Sequence, residues 1–189
     1  MQIYKKLQIK GGELVTTFYL IRHGEATYQP IDERKFIGHG RDLAPLTPKG
    51  IKQIKETAKD IRLKDSDIII SSPYTRALQS SAILSKELGI DIEVEVDLHE
   101  WVPDIMNFQH KTSEDCFSLC RDFDLHNGIY PKGEIKVWET NENMKRRINA
   151  VLEKYLKYNK VIVVCHEMVI STVKHQKNIS NGETIEYCR

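Results

Sequence analysis

The stretch Thr16–Glu25, TTFYLIRHGE, decides how the rest of the chain is interpreted. Its first part, Thr16–Ile21, is aromatic and β-branched, a composition typical of a strand. The strand ends at Arg-His-Gly-Glu, where polar side chains able to do chemistry follow one another. The later stretch Val161–Cys165, VIVVC, repeats this pattern, because a short apolar strand ends directly at His166.

Outward from these two strands, strand-like and helix-like segments alternate along the chain. Further strands are predicted at Asp67–Ser71, Ile92–Val96 and Thr184–Tyr187, the last of them at a sheet edge. Helices are predicted to begin at Thr47-Pro48, Ser72-Pro73, Asn141 and Met168. Repeated strand–helix–strand units predict an α/β protein whose mostly parallel sheet lies between helices, in three α/β/α layers.

Apolar residues at helical spacing define the faces on which three of these helices are expected to pack. The faces consist of Ile51, Ile54, Ala58 and Ile61, of Leu78, Ala82, Ser85 and Leu88, and of Met144, Ile148, Val151, Leu152 and Tyr155.

Two segments are less regular. Val102–Gly133 is interpreted as an insertion that could lie over a site as a lid, and Met1–Gly12 as a hairpin arm that turns at Gly11-Gly12.

Length and composition limit the class of protein. The 189 residues, 40% of them apolar and 29% charged, predict one globular domain spanning residues 1–189. A net charge of +1 argues against nucleic-acid or membrane-surface binding. No apolar run is long enough to span a membrane, and Met1–Val15 lacks the apolar stretch of a secretory signal. Four cysteines are too few for a disulfide framework, so we expect a cytoplasmic protein.

Polar side chains, most of them charged or imidazole groups, follow the ends of four predicted strands. They are Arg22, His23 and Glu25 after the first, Ser72 and Arg76 after the second, His99 and Glu100 after the third, and His166 and Glu167 after the fourth. Because ligands of open α/β sheets bind beyond the carboxyl ends of the strands, we expect these side chains to share one site.

This set of side chains suits phosphoryl transfer. Two arginine forks match and neutralise the oxygens of a phosphoryl group, and a neutral imidazole can attack phosphorus to form a covalent intermediate. A second histidine adds a donor, and a carboxylic acid can protonate the leaving oxygen and then act as a base on water. Such a pocket can work by fixed charge and positioning, so no metal or other cofactor is expected.

At these residues the sequence resembles the histidine phosphatase superfamily, also called phosphoglycerate mutase-like. The similarity is carried by FYLIRHGEAT (Phe18–Thr27), PLTPKGIKQ (Pro45–Gln53), IISSPYTRALQSSA (Ile69–Ala82), DLHEW (Asp97–Trp101) and VIVVCHEMV (Val161–Val169). The resemblance implies a doubly wound α/β core and a metal-independent mechanism through a phosphohistidine.

The resemblance also implies roles for individual residues. His23 resembles the family's nucleophile, Arg22 and Arg76 its phosphate clamps, and His166 the second histidine of its phosphate pocket. Glu100 falls where the family's acid/base glutamate lies.

The family resemblance gives less support to the roles of other residues near these motifs. Gly24 and Gln29 are expected to complete the phosphate-binding set, although many family members carry Asn where this chain has Gln29. Glu167 stands where Gly is common, and Ala26 separates Glu25 from Thr27. Asp104, in the turn after Glu100, is a competing candidate for the acid.

These observations predict a phosphatase that hydrolyses a phosphomonoester through phosphorylated His23. The expected partner is a small phosphorylated metabolite. Two alternatives remain open. One is phosphoglycerate mutase-type transfer to a second hydroxyl group of the substrate, for which the short chain has limited room. The other is a non-catalytic protein that binds a phosphate ligand, an alternative that Gln29 and Glu167 weakly favour.

Three further patterns have simpler structural interpretations. His99, His110, Cys116, Cys120 and His126 lack the two tight pairs of a structural zinc site. Lys154, Lys157 and Lys160, with Tyr155 and Tyr158, have the period of a solvated helix face rather than of a nucleic-acid site. Trp101, Phe108, Phe117 and Phe123 either shape substrate choice or form a small satellite core.

Overall fold

The computed structural model describes residues 9–10, 13–176 and 178–189, and its elements confirm the predicted alternation of strands and helices. In chain order they are β1 (Ile9–Lys10), β2 (Glu13–Leu14), β3 (Thr17–Arg22), α1 (Gln29–Glu33), α2 (Pro48–Thr57), β4 (Ile68–Ser71), α3 (Thr75–Leu88), β5 (Ile92–Val94), α4 (Ser113–Leu125), α5 (Asn141–Lys154), β6 (Lys160–Cys165), α6 (Glu167–Lys174) and β7 (Thr184–Cys188). Short 3-10 helices at Gly38–Leu43, Ile61–Leu63 and Val96–Leu98 lie in the connections between them.

The predicted α/β fold is confirmed as a mixed five-stranded sheet with the strand order β5-β4-β6-β3-β7. β5, β4, β6 and β3 run parallel, and β7 pairs antiparallel with β3 at the edge. The central strands β3, β4 and β6 are the apolar runs of the sequence. Each is almost wholly buried, because helices cover both faces of a parallel sheet.

Alternate residues of the central strands face two different helical layers. On one face, Phe18, Leu20 and Val163 pack in the same apolar cluster as residues of α5 and α6. On the other face, Tyr19, Ile21 and Ile162 pack with residues of α2 and α3. Strand side chains alternate between the two faces of a sheet, so a fully apolar strand supplies both layers of the three-layer fold.

The predicted face of α5 is confirmed, whereas those of α2 and α3 are partly wrong. Met144, Ile148, Val151, Leu152 and Tyr155 are all buried. In α2, Ile54 is buried, but Ile51 is exposed and Ile61 lies beyond the helix end and is exposed. In α3 the buried residues are Arg76, Ala77, Ser80, Ser81 and Leu84, whereas Ala82 of the predicted face is exposed. The buried face of α3 is thus rotated relative to the prediction, because it carries polar residues that build the site.

Smaller corrections concern element ends. Thr140, not Asn141, caps α5, since its side chain accepts a hydrogen bond from the backbone N–H of Asn143. β5 is shorter than predicted, and Val94 and Val96 are exposed rather than half-buried because β5 lies at the edge of the sheet. β1 and β2 pair antiparallel as a hairpin arm requires. The predicted turn at Gly11-Gly12 and residues 1–8 lie outside the described residues.

The insertion Val102–Gly133 holds α4 and joins the main apolar core. The ring of Phe123 packs edge-on between Trp101 and Trp138, with centroids 5.2 Å from each. Trp101 and Phe123 therefore belong to the large cluster on one face of the sheet rather than to a satellite core, while Phe117 is exposed. The role of this segment as a lid stays a prediction.

Candidate active site

The ends of β3, β4 and β6 place three polar residues at one edge of the sheet. His23 follows β3 and donates its backbone N–H to Cys165 O at 3.0 Å, and Ser72 follows β4 and donates its own to Val164 O at 3.0 Å. His166 follows β6 and caps α6. The imidazole rings of His23 and His166 meet edge-on, with centroids 5.1 Å apart. Parallel register therefore brings together histidines that are far apart in the sequence.

Hydrogen bonds fix which nitrogen of His23 can act as a nucleophile. Nδ1 lies 2.7 Å from the carbonyl oxygen of Gly24, which can only accept, so Nδ1 carries the proton. Nε2 accepts from Nε of Arg76 at 3.2 Å and therefore presents a lone pair. Burial, and secondly the charge of Arg76, lower the pKa of His23 to about 3. His23 is thus neutral over the ordinary pH range, with its reactive nitrogen facing an arginine.

His166 is fully buried and faces the same space. Its Nε2 lies 2.7 Å from Oγ of Ser72, and its Nδ1 is buried without a hydrogen-bond partner in the described part of the chain. Burial lowers its pKa well below the usual value, and the charge of Arg76 acts in the same direction. In the tautomer in which Ser72 donates to Nε2, neutral His166 carries its proton on Nδ1, where it is available to an anionic oxygen.

The two arginines each keep part of their guanidinium group unengaged. Nη1 of Arg22 lies 2.7 Å from the Glu167 carboxylate and donates to Ile179 O, while its buried Nε has no hydrogen-bond partner among the described residues. Arg76 is buried on α3, with its guanidinium carbon 5.0 Å from the centroid of the Tyr74 ring. Its Nη1 is buried, hydrogen-bonds no described residue, and lies 3.6 Å from Asp42.

Buried polar atoms without partners are concentrated at this edge of the sheet. Within residues 9–10, 13–176 and 178–189 the side-chain atoms of this kind are Arg22 Nε, Arg76 Nη1, His166 Nδ1 and His110 Nδ1. The first three belong to residues that contact or adjoin His23. An unmatched buried donor costs about 1–3 kcal/mol. An anion with several acceptor oxygens would satisfy all three donors at once, so the arrangement fits a phosphoryl group.

Glu100 lies at the same edge, on a backbone segment that Arg147 holds in place. Nη1 of Arg147 donates to the carbonyl oxygens of Asp97 at 2.5 Å and His99 at 2.8 Å, and Arg147 pairs with Glu139 at 2.7 Å. These bonds fix the backbone on which Glu100 stands. Burial raises the pKa of Glu100, against the opposing effects of the Trp101 N–H and of nearby arginines. A carboxyl group whose pKa is raised keeps its proton to higher pH than an exposed glutamate does, so Glu100 can serve as an acid.

Asp104, the competing candidate for the acid, has a structural role. Its carboxylate accepts the backbone N–H groups of Met106, Asn107 and Gln109 at 2.9–3.0 Å. Burial acts to raise its pKa, but these hydrogen bonds outweigh burial and the pKa is lowered. Asp104 therefore holds a turn as a carboxylate and is poorly suited to donate a proton.

Of the expected phosphate ligands, Gly24 and Gln29 have other contacts. The backbone N–H of Gly24 donates to Oγ of Ser80 at 3.2 Å, and a Cβ on Gly24 would lie 2.5 Å from the carbonyl oxygen of Gly50. Glycine is therefore needed here for close packing against α2. Gln29 is exposed at the start of α1, where its Nε2 donates to Glu33 at 3.0 Å. The structure thus brings together Arg22, His23, Arg76, Glu100 and His166, but not Gln29.

Sequence reasoning missed several residues that support the site. Asp42 comes from the 3-10 segment Gly38–Leu43 and faces Arg76, and Arg147 comes from α5. Nδ2 of Asn181 donates to the carbonyl oxygen of His23 at 2.9 Å. None of these residues follows a predicted parallel strand, so a search for polar residues after strand ends could not find them.

The structure gives no support to the other sites that the sequence analysis considered. Lys154 pairs with Glu95 at 2.7 Å, and the hydroxyl of buried Tyr155 donates to Glu93 and Glu95, so acids interrupt the basic patch. No cluster of three or more His, Cys, Asp or Glu residues suited to a metal ion occurs among the described residues. None of the described helices has the length and apolar character needed to cross a membrane.

Glu167, which takes the place of a common glycine, pairs with Arg22 and partly neutralises it. We expect Glu167→Gln to strengthen phosphate inhibition of any activity at this site, measured as tighter binding of inorganic phosphate by about two- to fivefold, because the anion then no longer competes with a carboxylate for Arg22. The dissociation constant of phosphate measures this effect. Glu153→Gln is the matched control, since Glu153 also pairs with an arginine at 2.7 Å, far from the site. Unchanged or weaker phosphate binding in Glu167→Gln would contradict the prediction.

Comparison with known proteins relates this arrangement to a family. The profile of the "Histidine phosphatase superfamily (branch 1)" matches residues 18–180. The chain is 28% identical over 157 residues to "Putative phosphoserine phosphatase 2" of Hydrogenobacter thermophilus, covering 78% of this chain and 71% of that protein. It is 29% identical over 139 residues to "Probable phosphoglycerate mutase GpmB" of Cronobacter sakazakii, covering 71% of this chain and 62% of that one.

Solved structures of low sequence identity share the fold. The mycobacterial glucosyl-3-phosphoglycerate phosphatase superposes with a TM-score of 0.69 at 16% identity, covering 92% of this chain and 90% of that one. Phosphoglycerate mutase from Bacillus anthracis superposes with a TM-score of 0.67 at 18% identity, covering 93% and 88%. Phosphatases and mutases thus occur among proteins with this architecture, and the choice between the two activities depends on the site.

Proposed function

The chain belongs to the histidine phosphatase superfamily, and we propose that it is a phosphatase that hydrolyses a small phosphomonoester through a phosphohistidine on His23. The observation that carries the proposal is the neutral His23, whose Nε2 lone pair lies among three buried donors without hydrogen-bond partners in the described chain. A nucleophile beside donors for three phosphoryl oxygens is the minimum that this reaction requires.

In the first step, Nε2 of His23 attacks phosphorus. Nε of Arg76, which donates to Nε2 of His23, shifts its hydrogen bond to a phosphoryl oxygen as the lone pair becomes engaged. The P–Nε2 bond forms while the ester P–O bond breaks, and the electron pair of that bond stays on the leaving oxygen. Positive charge then develops on the imidazole ring, and the Gly24 carbonyl oxygen stabilises it through Nδ1–H.

Glu100 handles the protons of both steps. In the first, its carboxyl group gives a proton to the leaving oxygen, so the substrate departs as an alcohol. In the second, the resulting carboxylate takes a proton from water as the water oxygen attacks phosphorus. The P–Nε2 bond breaks, its electron pair returns to Nε2, and inorganic phosphate leaves. The raised pKa of Glu100 keeps the proton available for the first step.

The pH dependence of turnover follows from these two groups. His23, with a pKa of about 3, stays deprotonated at Nε2 above that pH and causes no loss of activity in mildly acidic solution. Glu100 must be protonated to act as the acid, so kcat should fall as pH rises through its raised pKa. We expect Glu100→Gln to lower kcat/KM, which reports the first step, about 100-fold or more for an alkyl phosphate. The loss of kcat/KM should be much smaller for 4-nitrophenyl phosphate, whose leaving group needs no proton.

The same experiment has a built-in control. Asp104→Asn removes the competing carboxylate. In this variant kcat should still fall as pH rises, because the Asp104 carboxylate accepts three backbone N–H groups and does not act as the acid. Equal losses of kcat/KM for both substrates in Glu100→Gln would contradict the assignment of Glu100 as the acid.

The proposal is tested directly with 4-nitrophenyl phosphate in the presence of EDTA. Wild type should release one phosphate for each 4-nitrophenol, with a rate that EDTA leaves unchanged, because arginine and histidine donors supply the charge stabilisation. Mutase-type transfer is the second candidate, since one relative is described as a mutase. Transfer of labelled phosphoryl from a bisphosphoglycerate to a monophosphoglycerate faster than its hydrolysis would support the mutase and contradict the phosphatase.

A further inference from the structure

A cavity of about 510 Å³ lies beside the His23 site. Its walls come from the 3-10 segment Gly38–Leu43, the connection between β5 and α4, and the first part of α5. A volume of this size is typical of sites that enclose a small organic molecule. Neither His23 nor Arg22 lines the cavity, so it is a compartment separate from the phosphoryl pocket.

Tyr74 and His99 form the wall that the cavity shares with the site. The ring of Tyr74 meets His166 edge-on at 5.2 Å and stacks with His99 at 6.3 Å. His99 directly precedes Glu100, the residue assigned to protonate the leaving oxygen. A group joined to that oxygen and extending past Tyr74 and His99 would reach the cavity.

The cavity lining offers ring faces and aliphatic surface. The stacked Tyr74–His99 pair stands on one wall, and His39 and Phe108 form a second ring pair with centroids 4.6 Å apart. Val102 and Ile105 supply aliphatic surface between them. Such surfaces bind flat ring systems by stacking and by excluding water.

The charged groups of the lining largely neutralise one another or face water. Glu139 and Arg147 form a buried ion pair at 2.7 Å. Arg146 is exposed at the rim and donates to Oδ1 of Asn143 at 3.0 Å. A buried charge on the ligand would therefore meet no matching side chain in the interior, which favours an uncharged ligand group.

We propose that this cavity binds the leaving group of the substrate, and that this group is a planar, uncharged ring system, aromatic or heteroaromatic. The proposal rests on the phosphatase function for its meaning, but its test does not need turnover. Methylphosphonate and 1-naphthylmethylphosphonate carry the same anionic head group on a carbon–phosphorus bond that this mechanism does not cleave. Only the second carries a ring system for the cavity.

Calorimetric titration of the 189-residue chain with the two phosphonates provides the test. Wild type should bind the naphthyl compound at least about tenfold more tightly than methylphosphonate. Val96→Trp and Asn143→Trp fill the cavity from different walls and should each remove most of this preference, while the affinity for methylphosphonate stays unchanged. Val94→Trp is the matched control. Val94 is an exposed valine of the same segment that lies outside the lining, so the preference should persist.

Three results would overturn the cavity assignment: no detectable binding of the naphthyl compound, equal wild-type affinities for the two phosphonates, or a preference that survives both cavity variants. Failure of the phosphatase function is recognised separately. If wild type prefers the naphthyl compound but hydrolyses no phosphomonoester, the cavity assignment stands as a ring-binding site and the function fails. If wild type hydrolyses phosphomonoesters without a ring preference in binding, the function stands and the cavity assignment fails.

Discussion

Replacing His23 with alanine should lower kcat for any phosphomonoester by about four orders of magnitude or more, because no other group occupies the position of its Nε2. His23 lies at the end of β3 rather than within the apolar clusters, so the protein should remain folded. Steady-state turnover measures the first expectation and the thermal unfolding temperature the second. The effect is the largest that we expect, since it removes the bond-forming atom itself.

A matched control separates loss of the nucleophile from loss of any histidine. His126→Ala removes a partly buried histidine at the end of α4 that hydrogen-bonds the Asp122 carbonyl oxygen, and it should leave kcat close to that of wild type. Turnover by His23→Ala at a substantial fraction of the wild-type rate, in a protein with a normal unfolding temperature, would rule out the phosphohistidine mechanism.

Replacing Arg76 with alanine should lower kcat/KM by about two to three orders of magnitude. The guanidinium group is buried, contacts His23 Nε2, and holds a buried Nη1 without a hydrogen-bond partner in the described chain. It should therefore bind the phosphoryl group more strongly as charge builds up in the transition state. Both a higher KM and a lower kcat are expected, and initial rates over a range of substrate concentrations measure them.

Arg76→Lys is the informative companion variant. Lysine keeps the charge but loses the planar fork that contacts two atoms at once, so it should recover only part of the lost kcat/KM. Removal of Arg76 also takes away a neighbouring positive charge that lowers the pKa of His23, so the pKa of His23 should rise in Arg76→Ala. A change in KM alone, with kcat unaltered in both variants, would contradict a role for Arg76 in the transition state.

The residues at the strand ends were predictable because parallel topology follows from local patterns. TTFYLI and VIVVC are strands by composition, and any polar residue that directly follows such a strand must lie at the carboxyl edge of the sheet. This reasoning places His23 and His166 side by side without knowledge of any long-range contact. It extends to Glu100 because β5, although short, precedes it in the same sheet.

Helix α3 shows why the same reasoning failed elsewhere. A search for apolar residues at helical spacing selects Leu78, Ala82 and Leu88, yet the buried side of α3 carries Arg76, Ser80 and Ser81. Ser80 accepts from the Gly24 N–H, and Ser81 donates to Ser71, so polar contacts from other elements make this side the inner one. Hydrophobic periodicity cannot identify a helix face that is buried because its polar residues build a site.

The roles of single carboxylates depend on contacts that sequence spacing does not show. Glu167, Asp104 and Glu100 are alike in sequence terms, since each follows a predicted strand by a few residues. The structure separates them by what each contacts: Arg22 for Glu167, three backbone N–H groups for Asp104, and a buried environment for Glu100. The three partners of Asp104 lie within five residues of it, but the partner of Glu167 and the burial of Glu100 come from distant parts of the chain, so spacing alone left the identity of the acid open.

The proposed reaction passes through a covalent bond between phosphorus and Nε2 of His23, and trapping of that bond tests the reaction most directly. Wild type, mixed with a phosphomonoester and quenched in alkali within one turnover, should gain the mass of one phosphoryl group. Fragmentation should locate this group on the peptide that contains His23, and acid treatment should remove it. A phosphoryl group on any other residue, or turnover through which His23 stays unmodified at every quench time, would contradict the account.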